Sequence, residues 1–156
     1  MLRYLNFAYY KCKQCSFVFA NPRLNDLGSE LWYNSDFYNA ALEREYHLVR
    51  LGDRYCSSLD GSFFDEAVQI LKRNILHSGL RILEIGCGGG AFMDYLQAHF
   101  PAACMLGVDL NRRAVQFARD YRRLNAVCGN ANTYEISEKY DLAISMESIE
   151  HVNDLE

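Results

Sequence analysis

The residues best placed to do chemistry are two carboxylates near a glycine-rich turn. Glu84 stands near the end of the run Leu80-Arg81-Ile82-Leu83-Glu84-Ile85, and Gly86-Cys87-Gly88-Gly89-Gly90 follows at once. Gly86 and Gly88 permit a tight turn and leave no Cβ between main chain and ligand, while a helix starting after them directs unpaired N–H groups into the crevice. Asp109 closes the next apolar run, 23 residues after Gly86, where an acid can accept both hydroxyls of an unphosphorylated ribose. Glu84 would repel a pyrophosphate at that turn but favours an ammonium or a sulfonium. The two acids with the turn describe a ligand with a nucleoside at one end and a cationic amino-acid portion at the other. The same turn also satisfies G-x-G-x-x-A through Ala91, which keeps a nicotinamide-dependent oxidoreductase open as an alternative.

Two further clusters carry ligand chemistry. Glu147, Glu150 and His151 stand at i, i+3 and i+4, so on a helical turn all three converge and two carboxylates with an imidazole can hold a divalent ion. The competing reading has Glu150 and His151 positioning substrate or capping a helix. Cys12-Lys13-Gln14-Cys15 has the spacing of half a zinc knuckle, and a tetrahedral site needs four ligands. Metal-free thiols are expected there, with zinc shared with another chain or with His47 as the alternative. Cys56, Cys104 and Cys128 are expected in the core, because free cysteine is among the most buried residue types.

The elements that must position these residues alternate between strand and helix after Leu80. Leu80–Ile85, Cys104–Asp109, Ala126–Cys128 and Tyr140–Met146 read as strands. Ala91–Phe100 reads as a helix with Phe92, Tyr95, Leu96 and Phe100 on one stripe. Asn111 can cap the next helix, which buries Ala114, Phe117, Ala118 and Tyr121. That order argues for a parallel sheet covered by helices. The five arginines between Arg112 and Arg123 are expected on a solvated face. Upstream, Ser62, Asp65 and the periodic Phe64, Ala67, Val68, Leu71 and Ile75 predict a helix ending near His77-Ser78-Gly79. Before it lies a distinct aromatic-rich region, holding eleven of the 21 aromatic residues in its first 46 positions. There Asn21-Pro22-Arg23 signals a turn, Asn25–Tyr33 a short helix and Ala41–Leu59 a longer one. The division is 1–60 for the N-terminal region and 61–156 for the α/β domain.

The motif Leu83-Glu84-Ile85-Gly86-Cys87-Gly88-Gly89-Gly90 followed by Gly107-Val108-Asp109 resembles class I S-adenosylmethionine (SAM) dependent methyltransferases, from about Ser62 to the C-terminus. The resemblance implies a Rossmann-like sheet in the order 3-2-1-4 with helices on both faces, and SAM as cofactor. It places Gly86, Cys87, Gly88 and Gly90 at the methionine end, Glu84 at its amino group or the loop, Asp109 at the ribose, Asn130 and Ala131 at the adenine, and Leu110 among the other cofactor contacts. The segment Tyr140–Val152 resembles the fourth motif of small-molecule O-methyltransferases of the quinone-biosynthesis type. There Glu150 or His151 would serve as the base that removes the acceptor's proton. A similar Glu-x-x-Glu-His set binds metal in small-RNA 2′-O-methyltransferases. The run Cys12–Tyr38 is similar to the N-terminal segment of methyltransferases that carry a small zinc ribbon, where an earlier Cys pair completes the site. The family's sheet has three strands more after the fourth, so a bare fourth strand would favour self-association. A catalytically inactive SAM-binding module is the second reading.

Composition bounds these readings. Of 156 residues half are hydrophobic and 23% charged, which excludes a disordered chain, and no apolar run reaches the roughly 18 residues of a membrane span. A net charge of −4 gives no reason to expect nucleic acid as partner. A small-molecule acceptor, no membrane association and a cytoplasmic location are expected.

Overall fold

The computed structural model describes residues 8–40, 49–51, 54–56, 62–74 and 79–152. Two antiparallel strands open it, β1 (Ala8–Lys11) and β2 (Val18–Asn21), with Cys12 and Cys15 in the turn between them. Asn25 caps α1 (Asp26–Tyr33), its side chain accepting from the Gly28 N–H at 2.8 Å, and a second helical segment, α2, covers residues 36–40. The strands β3 (Val49–Leu51) and β4 (Arg54–Cys56) pair antiparallel. This overturns the helix expected over Ala41–Leu59. Val49 and Tyr55 are of the β-branched and aromatic types that favour extended structure, and a glycine at position 52 of the sequence weakens a helix through this stretch. The rest of that segment lies outside the described residues.

The remaining elements are α3 (Ser62–Asn74), β5 (Arg81–Ile85), α4 (Ala91–His99), β6 (Cys104–Asp109), α5 (Arg112–Asp120), β7 (Ala126–Cys128), β8 (Leu142–Ile144) and a 3₁₀ turn, Ile149–His151. The four strands β5 to β8 form one parallel sheet in the order β7-β6-β5-β8, as the alternation of elements requires. Ile82, Leu83 and Glu84 are all buried in succession, so both faces of β5 are covered. The core gathers Val68 of α3, Phe92, Met93, Tyr95 and Leu96 of α4, Val115 and Ala118 of α5, and Ile82 and Met105 of the sheet. Truncating a fully enclosed member such as Leu96 to Ala would cost about 2–5 kcal/mol.

Three packing expectations are corrected. Cys104 and Cys128 are exposed, the first at the start of β6 and the second on the edge strand β7; the side chain of Cys56 lies outside the described residues. Tyr121 is 78% exposed because the helix ends one residue before it. The arginines after Asn111 are not simply a solvated face. The Arg122 side chain is 7% exposed and pairs with Asp94 at 3.0 Å, while Arg112 pairs with Glu30 and Arg113 with Asp36, each at 2.9 Å. Those last two pairs are open to water and contribute little energy, but they mark where the N-terminal region meets α5. The main ties there are hydrogen bonds: Asn34 Nδ2 donates to the Leu110 carbonyl at 3.0 Å, and Asn34 Oδ1 accepts from the Arg112 N–H at 3.0 Å.

Candidate functional site

The chain leaves β5 towards β6 on one side and returns to β8 on the other. This is the topological switch at which parallel sheets open a crevice beyond their strand ends. The turn at the end of β5 is drawn tightly over β6, with the N–H groups of Gly86 and Cys87 both donating to the Val108 carbonyl, at 2.7 and 3.2 Å. Gly86 (φ +77°) adopts a left-handed conformation, and a Cβ there would lie 2.1 Å from Ser148 Oγ, so glycine lets the β5 turn touch the segment after β8. Gly88 is also left-handed (φ +52°), but a Cβ there would meet nothing within 4 Å. Its open side is where a ligand can approach the main chain.

Several N–H groups of this turn are engaged within the protein. Gly90 donates to the Cys87 carbonyl at 2.8 Å, and Gly88 donates to Asp109 Oδ2 at 2.8 Å. Gly90 also serves packing, since a Cβ on it would press on Leu124 and Ala118. Among the described residues no side chain caps α4 at Gly90, so the acids and the N–H groups of the first turn of α4 can act together.

Asp109 sits where β6 ends. Its Oδ1 accepts from the Asn111 N–H at 2.7 Å and its Oδ2 from Gly88, so each oxygen retains a lone-pair direction for a hydroxyl donor. Burial raises its pKa, and the Asn111 and Gly88 N–H groups oppose that rise. Glu84 lies inside, 3% exposed, in register with Gly107 of β6 and Ile144 of β8. Burial, with the Asp109 charge adding to it, pushes the Glu84 carboxyl up to about 8. Among the described residues its buried Oε2 has no hydrogen-bond partner. Such an atom is costly unless something pairs with it. Burial, Asp109 and Glu84 together push the Cys87 thiol far above its ordinary value, so it is an inert, protonated wall. The two acids thus share one environment.

Around them stand the other residues singled out by sequence. The Leu110 carbonyl is held by Asn34. Asn130 Oδ1 accepts from the Asn132 N–H at 2.9 Å, which ties the expected adenine-side amide into its own loop, and Ala131 beside it is exposed. Glu150 and His151 lie exposed on the 3₁₀ turn, 3.8 Å apart. Glu147 does not join them. It precedes the turn with φ +53°, which breaks the helical spacing, and among the described residues no three metal-binding side chains gather. Cys12 and Cys15 likewise gain no third ligand among the described residues; the N–H groups of Cys15 and Gln14 lower the Cys12 thiol below its ordinary value. His47 lies outside the described residues.

The N-terminal region supplies a wall that sequence did not disclose. Asn111 Nδ2 donates to the Tyr33 carbonyl at 2.7 Å and to Asn39 Oδ1 at 2.9 Å, while its Oδ1 caps α5 by accepting from the Ala114 N–H. Arg23 Nη2 donates to the Glu150 carbonyl at 3.0 Å, and the Tyr33 ring stands 6.4 Å from the His151 ring. These contacts between the N-terminal region and the sheet join residues more than 70 positions apart, and no local spacing announces them.

Residues 82–156 match the family model of a methyltransferase domain. The chain is 31% identical over 97 residues to a malonyl-[acyl-carrier protein] O-methyltransferase of Priestia megaterium, covering 60% of this chain and 35% of that protein. It is 33% identical over 88 residues to a ubiquinone biosynthesis O-methyltransferase of Sinorhizobium fredii, covering 50% and 33%. The chain thus spans about a third of the length of the curated relatives it matches. In structure it is similar to a SAM-dependent methyltransferase of Thiobacillus denitrificans solved in complex with S-adenosyl-L-homocysteine, with a TM-score of 0.57, 16% identity and coverage of 78% of this chain and 47% of that one. The sheet order and these matches identify the Rossmann-like methyltransferase fold expected from the sequence.

Proposed function

We propose that this chain, which carries a methyltransferase domain over residues 82–156, binds SAM and takes part in methyl transfer to a small-molecule hydroxyl. The observation that carries the reading is Glu84: a buried carboxyl whose Oε2 has no hydrogen-bond partner among the described residues, close enough to Asp109 to feel its charge, beside a turn open at Gly88. A pyrophosphate gains no charge pairing from that carboxyl and would hold it in its protonated form. An ammonium or sulfonium instead pairs with it and offsets the cost of its burial. The residues present therefore fit SAM.

SAM, when bound, supplies a methyl group already attached to a good leaving group. What is left to the protein is alignment and proton removal. Asp109 takes the ribose hydroxyls on its remaining lone pairs, and Gly88 leaves room for the ligand against the main chain. Glu84 would hold the donor's ammonium, its own proton passing to solvent as the pair forms. His151, or Glu150 beside it, takes the proton from the acceptor hydroxyl; both sit on the turn after β8, at the switch-point side of the sheet. Among the described residues no helix is long and apolar enough to cross a membrane. With five free cysteines among those residues, we place the protein in the cytoplasm.

Titration calorimetry with S-adenosylhomocysteine and with NADH separates this reading from the dehydrogenase. Binding of S-adenosylhomocysteine and none of NADH is expected. NADH binding that Asp109→Ala abolishes would overturn the assignment.

A further inference from the structure

The β1–β2 hairpin carries a surface that methyl transfer leaves unused. Tyr10 of β1 stands opposite Phe19 of β2, and their rings stack at 6.1 Å. Phe17, two residues before Phe19 and so on the same face, stacks on it at 6.4 Å with the ring planes 11° apart. Three rings therefore form one row along the ribbon, and Tyr10, Phe19 and Phe17 are 50%, 41% and 67% exposed. Tyr9 and Val18, on the reverse face, are exposed as well. A two-stranded ribbon with apolar side chains bare on both faces is marginal in water and gains from a partner.

The charge around this row is of one sign. Arg3, Lys11, Lys13 and Arg23 all precede Asp26, the first acidic residue of the chain, so residues 1–25 carry +4 and the rest −8. The total of −4 conceals this separation. Lys13 stands in the turn beyond one end of the ring row, Arg23 lies beyond the other, and Lys11 is on the strand between them. Cations spaced along exposed rings match a flexible polyanion whose flat bases stack on the rings while its phosphates meet the cations. Other partners fit less well. A bilayer entered tip first would have to take the polar run Lys13-Gln14-Cys15-Ser16, and a hairpin lying flat on it would leave one apolar face in water. A two-fold contact between copies would set the same lysines against each other.

We propose that the β1–β2 hairpin is a binding site for single-stranded nucleic acid, with Tyr10, Phe19 and Phe17 stacking on its bases and Lys11, Lys13 and Arg23 contacting its phosphates. The site is distinct from the crevice at the glycine turn and does not depend on the methyltransferase reading. Arg23 also donates to the Glu150 carbonyl at 3.0 Å, so a strand held on the hairpin ends beside the turn that carries Glu150 and His151.

Fluorescence anisotropy of labelled oligothymidylate and oligouridylate with the full chain, over a series of salt concentrations, tests this. Three phosphate contacts on a single strand predict that log K falls with log salt at a slope of about −2, and Lys11→Gln combined with Lys13→Gln should bring it to about −0.7. Phe17→Leu and Tyr10→Leu keep an apolar side chain but remove the π face, and each should weaken both probes by about tenfold at every salt concentration. Both side chains are at least half exposed, so the unfolding midpoint should not move. No binding of either probe at low salt overturns the proposal. Binding left unchanged by the ring variants, or by the lysine pair, overturns it as well. Two controls name the other occupants: vesicles of phosphatidylcholine with phosphatidylserine, and sedimentation of the free chain. Capture by the vesicles without oligonucleotide binding would assign the hairpin to a lipid surface, and a dimer that Phe17→Leu dissociates, again without oligonucleotide binding, would assign it to a second copy; either result overturns the proposal.

Discussion

Replacing Glu84 by Gln removes one ionisation and little volume, and the consequence is a change in how stability depends on pH. The carboxyl has an ordinary value of 4.5 and about 8 in the folded chain, raised chiefly by burial. Between those two values the folded protein holds a proton that the unfolded chain has released, so the wild type loses stability as pH rises through that window. The slope for one such group is roughly 1.4 kcal/mol per pH unit, or about 3 kcal/mol between pH 5 and 7. The amide in Glu84→Gln has no proton to lose. Thermal unfolding of the two proteins from pH 5 to pH 8 should therefore show midpoints that diverge, the variant gaining about 6–12 °C on the wild type between pH 5 and 7 for a chain of this size. Comparing differences cancels the titrating groups that do not interact with Glu84, and the pH-independent cost of the variant's amide. The same proton must leave when a cation pairs with Glu84. Affinity for S-adenosylhomocysteine should then rise from pH 6 to pH 8 in the wild type and stay flatter in Glu84→Gln. Midpoint curves that run parallel in the two proteins would refute the buried, protonated carboxyl and the reasoning built on it.

Asp109→Asn removes the charge and leaves one oxygen for two donors, so either the Asn111 or the Gly88 N–H loses its acceptor, and calorimetry should find S-adenosylhomocysteine weakened by about 1–3 kcal/mol. Gly88→Val forces a branched side chain into φ +52° and projects it into open space; unfolding should fall by about 1–3 kcal/mol and ligand binding should be lost outright. Asn111→Ala removes the α5 cap and two bonds to the N-terminal region, so chemical denaturation should report a loss of at least about 1–2 kcal/mol. An unchanged midpoint in that last variant would mean these bonds are open in solution.

The α/β half of the molecule was legible because its signals are local. The runs ending in Ile85 and Asp109, the glycines between β5 and α4, and the Asn111 cap each declare an element within a few residues. The site was legible in part for the same reason, since Glu84, Gly88 and Asp109 stand at strand ends that the pattern locates. What stayed hidden depends on distance along the chain. Tyr33, Asn34 and Asn39 reach the β6–α5 junction from more than 70 residues away, and nothing in α1 says which surface it will meet. The spacing of Glu147, Glu150 and His151 misled because a single left-handed residue at Glu147 ends the helical geometry that the spacing presumes. Burial of Cys104 and Cys128 failed as an expectation because a strand's first residue and an edge strand both lie at the margin of the core.

Asn111 concentrates in one amide the attachment of two parts of the molecule. Its oxygen starts α5, its nitrogen clasps the end of α1 and Asn39, and its own main-chain N–H steadies Asp109. A ribose bound at Asp109 would therefore stand one main-chain hydrogen bond away from the amide that fastens the N-terminal region, so binding at the one and attachment at the other would share a single support.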